Sequence, residues 1–101
     1  MGVMYTPEQM QATLIALRIK PKNGMVTGSE AARILTWRAE DEQGVKHRYL
    51  DSAVRRHVER GNIKAYPVNA RFNMYKVEDV FEIPLSPRRG RVPKSEQANA
   101  A

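Results

Sequence analysis

The sequence predicts a small α+β domain that is mostly helical. Two segments begin with capping boxes, and a third is a short helix bounded by Asp51 and Gly61. The two segments after Gly61 alternate like the strands of a β-hairpin. With 101 residues, of which 42% are hydrophobic, the chain can build one modest core. We expect one domain over residues 1–84 and a tail over residues 85–101.

The first predicted helix covers residues 6–19. Thr6 and Gln9 have the spacing of a capping box. An apolar stripe at helical spacing follows, formed by Met10, Leu14 and Leu17. Such a stripe is typical of a core face or a dimer seam. The segment from Lys20 to Gly24 then predicts a turn.

A second helix is predicted from Gly28 to about Arg38, after a short extended segment. Thr27 and Glu30 form its capping box. Continuing the helix to Gln43 would place three acidic residues, 40–42, at the negative end of the helix dipole. We therefore expect a polar loop over residues 39–47. Trp37 is expected to pack over the edge of the core, with a role in stacking or partner binding as the alternative.

The third helix, residues 52–60, has an apolar back and an arginine-bearing front. Asp51 is the expected N-cap and Gly61 the expected C-terminal stop. Val54 and Val58 share the back. The predicted front carries Ser52, Arg55, Arg56 and Glu59. Such a helix fits either a solvated surface or the DNA major groove, where arginine reads guanine.

The segments 63–66 and 71–76 predict a β-hairpin with its turn at residues 67–70. A short helix over residues 77–83 follows, and Pro84 ends it. The order of helix, turn, capped basic helix, glycine, two strands and short helix is that of a winged helix-turn-helix. The helix at 6–19 is an N-terminal addition to this unit, and residues 63–76 are the wing.

The charge of the chain predicts a polyanionic partner. The formal net charge is +6 and the isoelectric point is about 10.0. Nucleic acid, an anionic membrane surface and an acidic protein are all compatible with this charge. The absence of cysteine agrees with a reducing cytoplasm. No apolar run approaches the roughly 20 residues that span a bilayer, and the start of the chain lacks signal-peptide features.

The sequence predicts neither an enzyme nor a cofactor site. His47 and His57 are ten residues apart with no cysteine nearby, so no metal-ligand spacing is met. The glycines are scattered turn and cap residues rather than a phosphate-binding loop. No small-molecule ligand is predicted.

Three motifs carry a family resemblance across residues 27–83. They are "TGSEAARIL", "SAVRRHVERGNIKAY" and "RFNMYKVEDVFEI". Together they resemble the excisionase and MerR-like winged-helix families, in which a "T-x-x-E-A-A-x-x-L" helix precedes a "V-R-R-x-V/I-x-x-G-x-I/L-x-A-Y" recognition helix and wing. The chain departs from this pattern by a long insertion over residues 36–49. It also has His57 where the families often have a large apolar residue.

The resemblance implies a set of DNA-contacting residues. On the recognition helix they are Ser52, Arg55, Arg56, Glu59 and Arg60. On the wing and at the start of the preceding helix they are Thr27, Ser29, Lys64, Asn69 and Arg71. In the tail, "PRRGRVPK" is similar to an AT-hook, although Val92 stands before Pro93. This similarity implies contacts with the minor groove or with phosphates from Arg88, Arg89, Gly90, Arg91 and Lys94.

The expected function is sequence-preferring binding of double-stranded DNA in the cytoplasm, by a small transcriptional regulator, an excisionase-like factor or a nucleoid-associated protein. Binding as a homodimer or as a tandem array is open. A winged helix that binds another protein through the first helix and the Trp37 region is an alternative. A third interpretation is an RNA-binding winged helix that stacks bases on Tyr66, Phe72 and Tyr75.

Overall fold

The computed structural model describes residues 5–70 and 73–85. About half of these residues are helical, and the fold is α+β, as predicted. Four helices and three strands lie in the described part of the chain, in the order α1 (Pro7–Ala16), β1 (Met25–Thr27), α2 (Gly28–Gln43), α3 (Asp51–Glu59), β2 (Tyr66–Pro67), β3 (Asn73–Lys76) and α4 (Val77–Glu82). Within this part, none of the helices has the length and apolar character needed to cross a bilayer.

The three strands form one antiparallel sheet in the order β1-β3-β2. Val26 of β1 pairs with Tyr75 of β3, and both side chains are buried. The sequence predicted β1 only as a short extended segment. Its pairing with β3 joins residues about fifty positions apart, and no local pattern encodes such a contact.

The pairing of β2 with β3 is shorter than predicted. Only Tyr66–Pro67 pairs with Met74 and Asn73, so the predicted strand over residues 63–66 is wrong for its first three residues. Ile63 is buried in the core instead of extending the sheet. Residues 71 and 72 lie outside the described residues.

Local signals fix the bounds of α1 and the turn that follows it. Thr6 and Gln9 form the predicted capping box, with both hydrogen bonds present. The helix ends at Ala16, earlier than predicted, and Arg18 lies in the left-handed region with φ of 59°. Asn23 and Gly24 also have positive φ and form the predicted turn.

Helix α2 is longer than predicted. It continues to Gln43 and ends at Gly44, which has the left-handed φ of 67°. The predicted stop near Arg38 is therefore wrong, and the predicted loop over residues 39–47 is wrong for residues 39–43 and confirmed for residues 44–47. The physical reason is a set of tertiary and i,i+4 contacts. These contacts offset the unfavourable interaction between the acidic residues and the negative end of the helix dipole.

Arg38 is the centre of these contacts. Its buried guanidinium bonds Glu42 one turn later, with 2.6 Å between Nε and Oε2. The Tyr5 hydroxyl lies 2.7 Å from the same Glu42 oxygen and 3.1 Å from Asp41 Oδ2, and it donates to this pair of carboxylates. Burial and these carboxylates raise the pKa of Tyr5. The positive group and the donor together favour acidic residues at this helix end.

Arg38 also connects α2 to α4. Its Nη1 donates to the carbonyl oxygen of Val80 at 2.8 Å. The ring of Tyr5 contacts Phe81 and Trp37, with ring centres 5.3 and 5.8 Å apart respectively. Trp37 is half-buried and packs against the core, as predicted.

Helix α3 begins and ends one residue earlier than the predicted range 52–60. Asp51 is its first residue, and Leu50 is an N-cap without a side-chain hydrogen bond, so the predicted Asp51 cap is wrong. The Asp51 carboxylate lies against Gly28, in the space that a Cβ at that position would need. The carboxylate therefore lies beside the start of α2.

Replacing Arg38 by alanine is expected to lower the free energy of unfolding by about 3–5 kcal/mol, because it leaves the Glu42 carboxylate without its partner. Urea denaturation measures this change. The exposed Lys22→Ala substitution is the control and should shift the value by less than about 0.5 kcal/mol. Equal small losses in the two variants would contradict the anchoring role of Arg38.

Candidate nucleic-acid interface

Helix α3 has the two faces that the sequence predicts. Val54 and His57 are buried, and Val58 is half-buried against the core. On the opposite side, the exposed residues are Ser52, Arg55, Arg56, Glu59 and Arg60. These are the five residues that the sequence assigned to the recognition helix, and the structure brings them together on one solvent-facing surface.

The C-terminal end of α3 is fixed by the predicted glycine stop. Gly61 has φ of 79°. Its N–H donates to the carbonyl of Val58 at 3.0 Å, and the N–H of Asn62 donates to the carbonyl of His57 at 2.8 Å. This pair of bonds is a Schellman motif, which holds the end of the helix and turns the chain toward the sheet.

His57 is a buried structural histidine. The Asn62 side-chain amide nitrogen lies 2.9 Å from its Nδ1. Because this amide nitrogen can only donate, Nδ1 accepts, and the neutral ring carries its proton on Nε2. Burial lowers the pKa of His57 below its ordinary value of 6.5, and the charges of Arg60 and Arg38 lower it further.

Arg55 is the one front arginine that has an acidic partner among the described residues. Its Nη2 lies 3.6 Å from Asp51 Oδ2, one turn earlier, and both side chains are at least half exposed. An exposed pair of this kind contributes little to stability but restricts the position of the guanidinium. The side chains of Arg56 and Arg60 make no ion pair with another described residue.

The linker between α2 and α3, residues 44–50, is held against α2. The Val45 N–H donates to the carbonyl of Ala39 at 3.3 Å, and the Tyr49 N–H donates to Thr36 Oγ1 at 2.9 Å. The ring of His47 packs edge-on against the ring of Tyr49. The insertion over residues 36–49 is therefore divided between the last turns of α2 and this short, bonded linker.

A cavity of about 430 Å³ lies between this linker and α3, and we call it the arginine groove. Arg48 of the linker lines it together with Arg56 and Arg60 of α3. Sequence reasoning missed Arg48. The run Lys46-His47-Arg48 just before α3 is the only local signal for it.

The remaining predicted contacts lie apart from the front of α3. Thr27 uses its hydroxyl to cap α2, where it accepts from the Glu30 N–H, and Ser29 is exposed on the first turn. The Asp51 carboxylate already lies at this helix end, beside Gly28. A phosphate at the same N–H groups would have to share them with this negative charge.

The predicted wing residues are only partly described. Lys64 is exposed, and its Nζ lies 5.3 Å from the centre of the Tyr66 ring. Lys76 Nζ lies 5.5 Å from the same ring. Asn69 is exposed in the β2–β3 connection. The other predicted wing and tail residues lie outside the described residues: Arg71, Arg88, Arg89, Gly90, Arg91 and Lys94.

Across residues 5–70 and 73–85, no group of three or more His, Cys, Asp or Glu side chains is arranged to hold a metal ion. Comparisons of the chain with protein-family models, curated proteins and solved structures find no match. The resemblance to the excisionase and MerR-like families therefore stays a prediction from sequence motifs.

The buried position of His57 predicts a stability that depends on pH. Because its pKa is lower in the folded chain than in the unfolded chain, the unfolded chain takes up the proton first as pH falls. The free energy of unfolding should fall below about pH 6.5, by at most about 1.4 kcal/mol per pH unit from this group. Urea denaturation at pH 7.5 and pH 5.5 measures the loss. His57→Phe should reduce it, and an equal loss in that variant would contradict the assignment.

Proposed function

We propose that this protein binds double-stranded DNA with a sequence preference and that α3 enters the major groove. The observation that carries the proposal is the front of α3. This surface exposes three arginines, while Val54 and His57 lock the back of the helix into the core. A guanidinium can donate two parallel hydrogen bonds to O6 and N7 of guanine, which makes arginine the commonest specific reader in this groove.

The side chains on this surface differ in what they offer to a base pair. Ser52 can donate or accept, and Glu59 can accept from the amino group of cytosine. Arg55 is restrained by Asp51, so its guanidinium is partly positioned before DNA arrives. The three groups give a surface that can distinguish base pairs as well as attract phosphates.

The order of the elements supports a winged helix-turn-helix. In this proposal α2 and α3 form the helix pair, and the antiparallel sheet β1-β3-β2 continues into a wing between β2 and β3. Lys64 and Asn69 would then lie near the backbone or the minor groove. The motif resemblance to excisionase and MerR-like proteins points the same way, toward a small regulator or a nucleoid-associated protein in the cytoplasm.

Protein binding is the second candidate function. A mainly apolar cavity of about 560 Å³ lies beside α2 and is lined by Leu17, Trp37, Tyr49 and Leu50 among others. The RNA-binding alternative has less support, because Tyr75 is buried in the sheet and cannot stack a base there. Competition between duplex DNA and RNA of equal length separates these functions.

Selection of bound duplexes from a random pool at near-physiological salt tests the proposal and defines a preferred site. Arg55→Ala or Arg56→Ala should then weaken binding to that site by about 1–3 kcal/mol, because each loses a bidentate contact or a charge-assisted one. Fluorescence anisotropy measures the affinity. Lys22→Gln removes one exposed charge from the segment before β1 and serves as the control. If the Arg55→Ala/Arg56→Ala double variant bound the site as the parent does, α3 would not be the recognition helix.

Deletion of residues 86–101 should have a different effect. The deleted segment contains four arginine and lysine residues, at positions 88, 89, 91 and 94. Loss of phosphate contacts should weaken binding to every duplex alike, and the slope of log K against log salt should become less steep by roughly one unit per lost contact. Anisotropy titrations at several salt concentrations measure this slope. A loss confined to the preferred site would contradict a role of the tail on the backbone.

A further inference from the structure

The arginine groove joins two parts of the chain that the motif resemblance treats separately. One wall is residues 47–50 of the linker, which belongs to the insertion, and the other wall is α3. Arg56 and Arg60 are one helical turn apart on α3, and Arg48 comes from the opposite wall. Three arginines therefore line one concave space.

These three arginines have no neutralising partner among the described residues. The ion pairs Arg38–Glu42 and Arg55–Asp51 involve no residue that lines the groove. No acidic side chain lines the cavity. Like charges brought together without a counter-charge repel one another, so an anion in the groove would be favoured. Arginine in particular matches phosphate oxygens with its planar set of donors.

The groove is held in shape before any ligand arrives. The hydrogen bond from Tyr49 N–H to Thr36 and the contact between the rings of His47 and Tyr49 fix the linker wall. The buried Val54 and His57 fix the wall formed by α3. A preformed site loses little conformational entropy on binding, which favours affinity.

His57 forms part of the inner wall and responds to the charge of the groove. The nearby Arg60 contributes to the lowered pKa of this histidine, after burial itself. The wall is therefore neutral near pH 7, and the positive charge of the groove comes from the arginines.

We propose that the arginine groove binds a phosphodiester group of the DNA backbone through Arg48, Arg56 and Arg60. This proposal rests on the proposed function and refines it. The groove side of α3 holds the helix in register on one strand, and Arg55 and Glu59, which do not line the groove, are left to contact base edges. In this proposal the insertion contributes to phosphate binding, because it supplies Arg48 to a site that α3 alone cannot complete.

The experiment compares Arg48→Ala with Lys46→Ala, an exposed cation of the same linker that does not line the groove. Arg48→Ala should weaken binding about tenfold, the usual value of one charge-assisted hydrogen bond. The loss should be the same for the selected duplex and for a scrambled one. The salt slope should become less steep by about one unit, since one phosphate contact is lost. Arg60→Ala should lower the affinity and the salt slope as Arg48→Ala does. Arg48→Lys should restore part of the lost affinity, and Lys46→Ala should change neither quantity much.

Several outcomes would overturn the proposal. Equal effects of Arg48→Ala and Lys46→Ala would show general attraction rather than a groove. A loss at the selected duplex alone would make Arg48 a base reader. Tight binding of inorganic pyrophosphate that depends on Arg48, with duplex binding unchanged in Arg48→Ala, would assign the groove to a small phosphate ligand.

These outcomes are distinguishable from failure of the proposed function. If the parent protein binds all duplexes equally and its affinity still depends on Arg48, the sequence preference is contradicted and the phosphate-binding groove is supported. If the parent protein prefers one site and Arg48→Ala leaves its affinity unchanged, the sequence preference is supported and the groove assignment is contradicted. Circular dichroism and thermal melting confirm that each variant is folded, which the exposed position of Arg48 predicts.

Discussion

The buried guanidinium of Arg38 is the interaction on which the rest of this structure depends. A charge in this position must be paired, and Arg38 is bonded to the Glu42 carboxylate and to the carbonyl of Val80. The first contact extends α2 by more than one turn beyond its predicted end. The second fixes α4 against α2. Removal of this one group would leave the Glu42 carboxylate without its cation and the Val80 carbonyl without the Arg38 hydrogen bond.

The length of α2 decides where the site lies. Because α2 reaches Gln43, only seven residues remain to connect it to α3. That short linker runs back along α2, where Thr36 binds its backbone, and Arg48 is brought beside Arg56 and Arg60. A helix that stopped near Arg38 would leave a longer and less restrained loop. The position of the arginine groove is therefore a consequence of a contact on the other side of α2.

Features that depend on neighbouring residues could be predicted from the sequence, whereas features that depend on tertiary contacts could not. Both capping boxes, the Gly61 stop and the two faces of α3 follow from residues within four positions of one another, and the structure contains them. The early end predicted for α2 was wrong. The prediction considered only the helix dipole, which disfavours acidic residues at this end of a helix. In the structure, Arg38 and Tyr5 bind acidic residues there. The pairing of β1 with β3 and the approach of Asp51 to Gly28 join distant segments. Arg48 was missed because its position beside Arg56 and Arg60 depends on how the linker packs on α2.

The surface of α3 combines two kinds of arginine. Arg55 is paired with Asp51 and faces solvent, whereas Arg56 and Arg60 border a concave space with Arg48 and have no acidic neighbour there. A cation that is paired with a carboxylate has a preferred orientation, whereas a cation without an acidic partner attracts an anion. This division is the physical basis of the DNA contact that we propose, in which one set of arginines positions the protein and the other distinguishes base pairs.

The most direct test of this account is a map of backbone amide ¹H–¹⁵N shifts in the full chain as a duplex with the selected sequence is added. If α3 is the recognition helix, the largest changes in shift should lie in α3, in the linker at Arg48 and at Lys64. The changes at α1 and around Trp37 should be small. The largest changes at Leu17, Trp37 and the apolar cavity beside α2, with α3 unaffected, would contradict DNA recognition by α3.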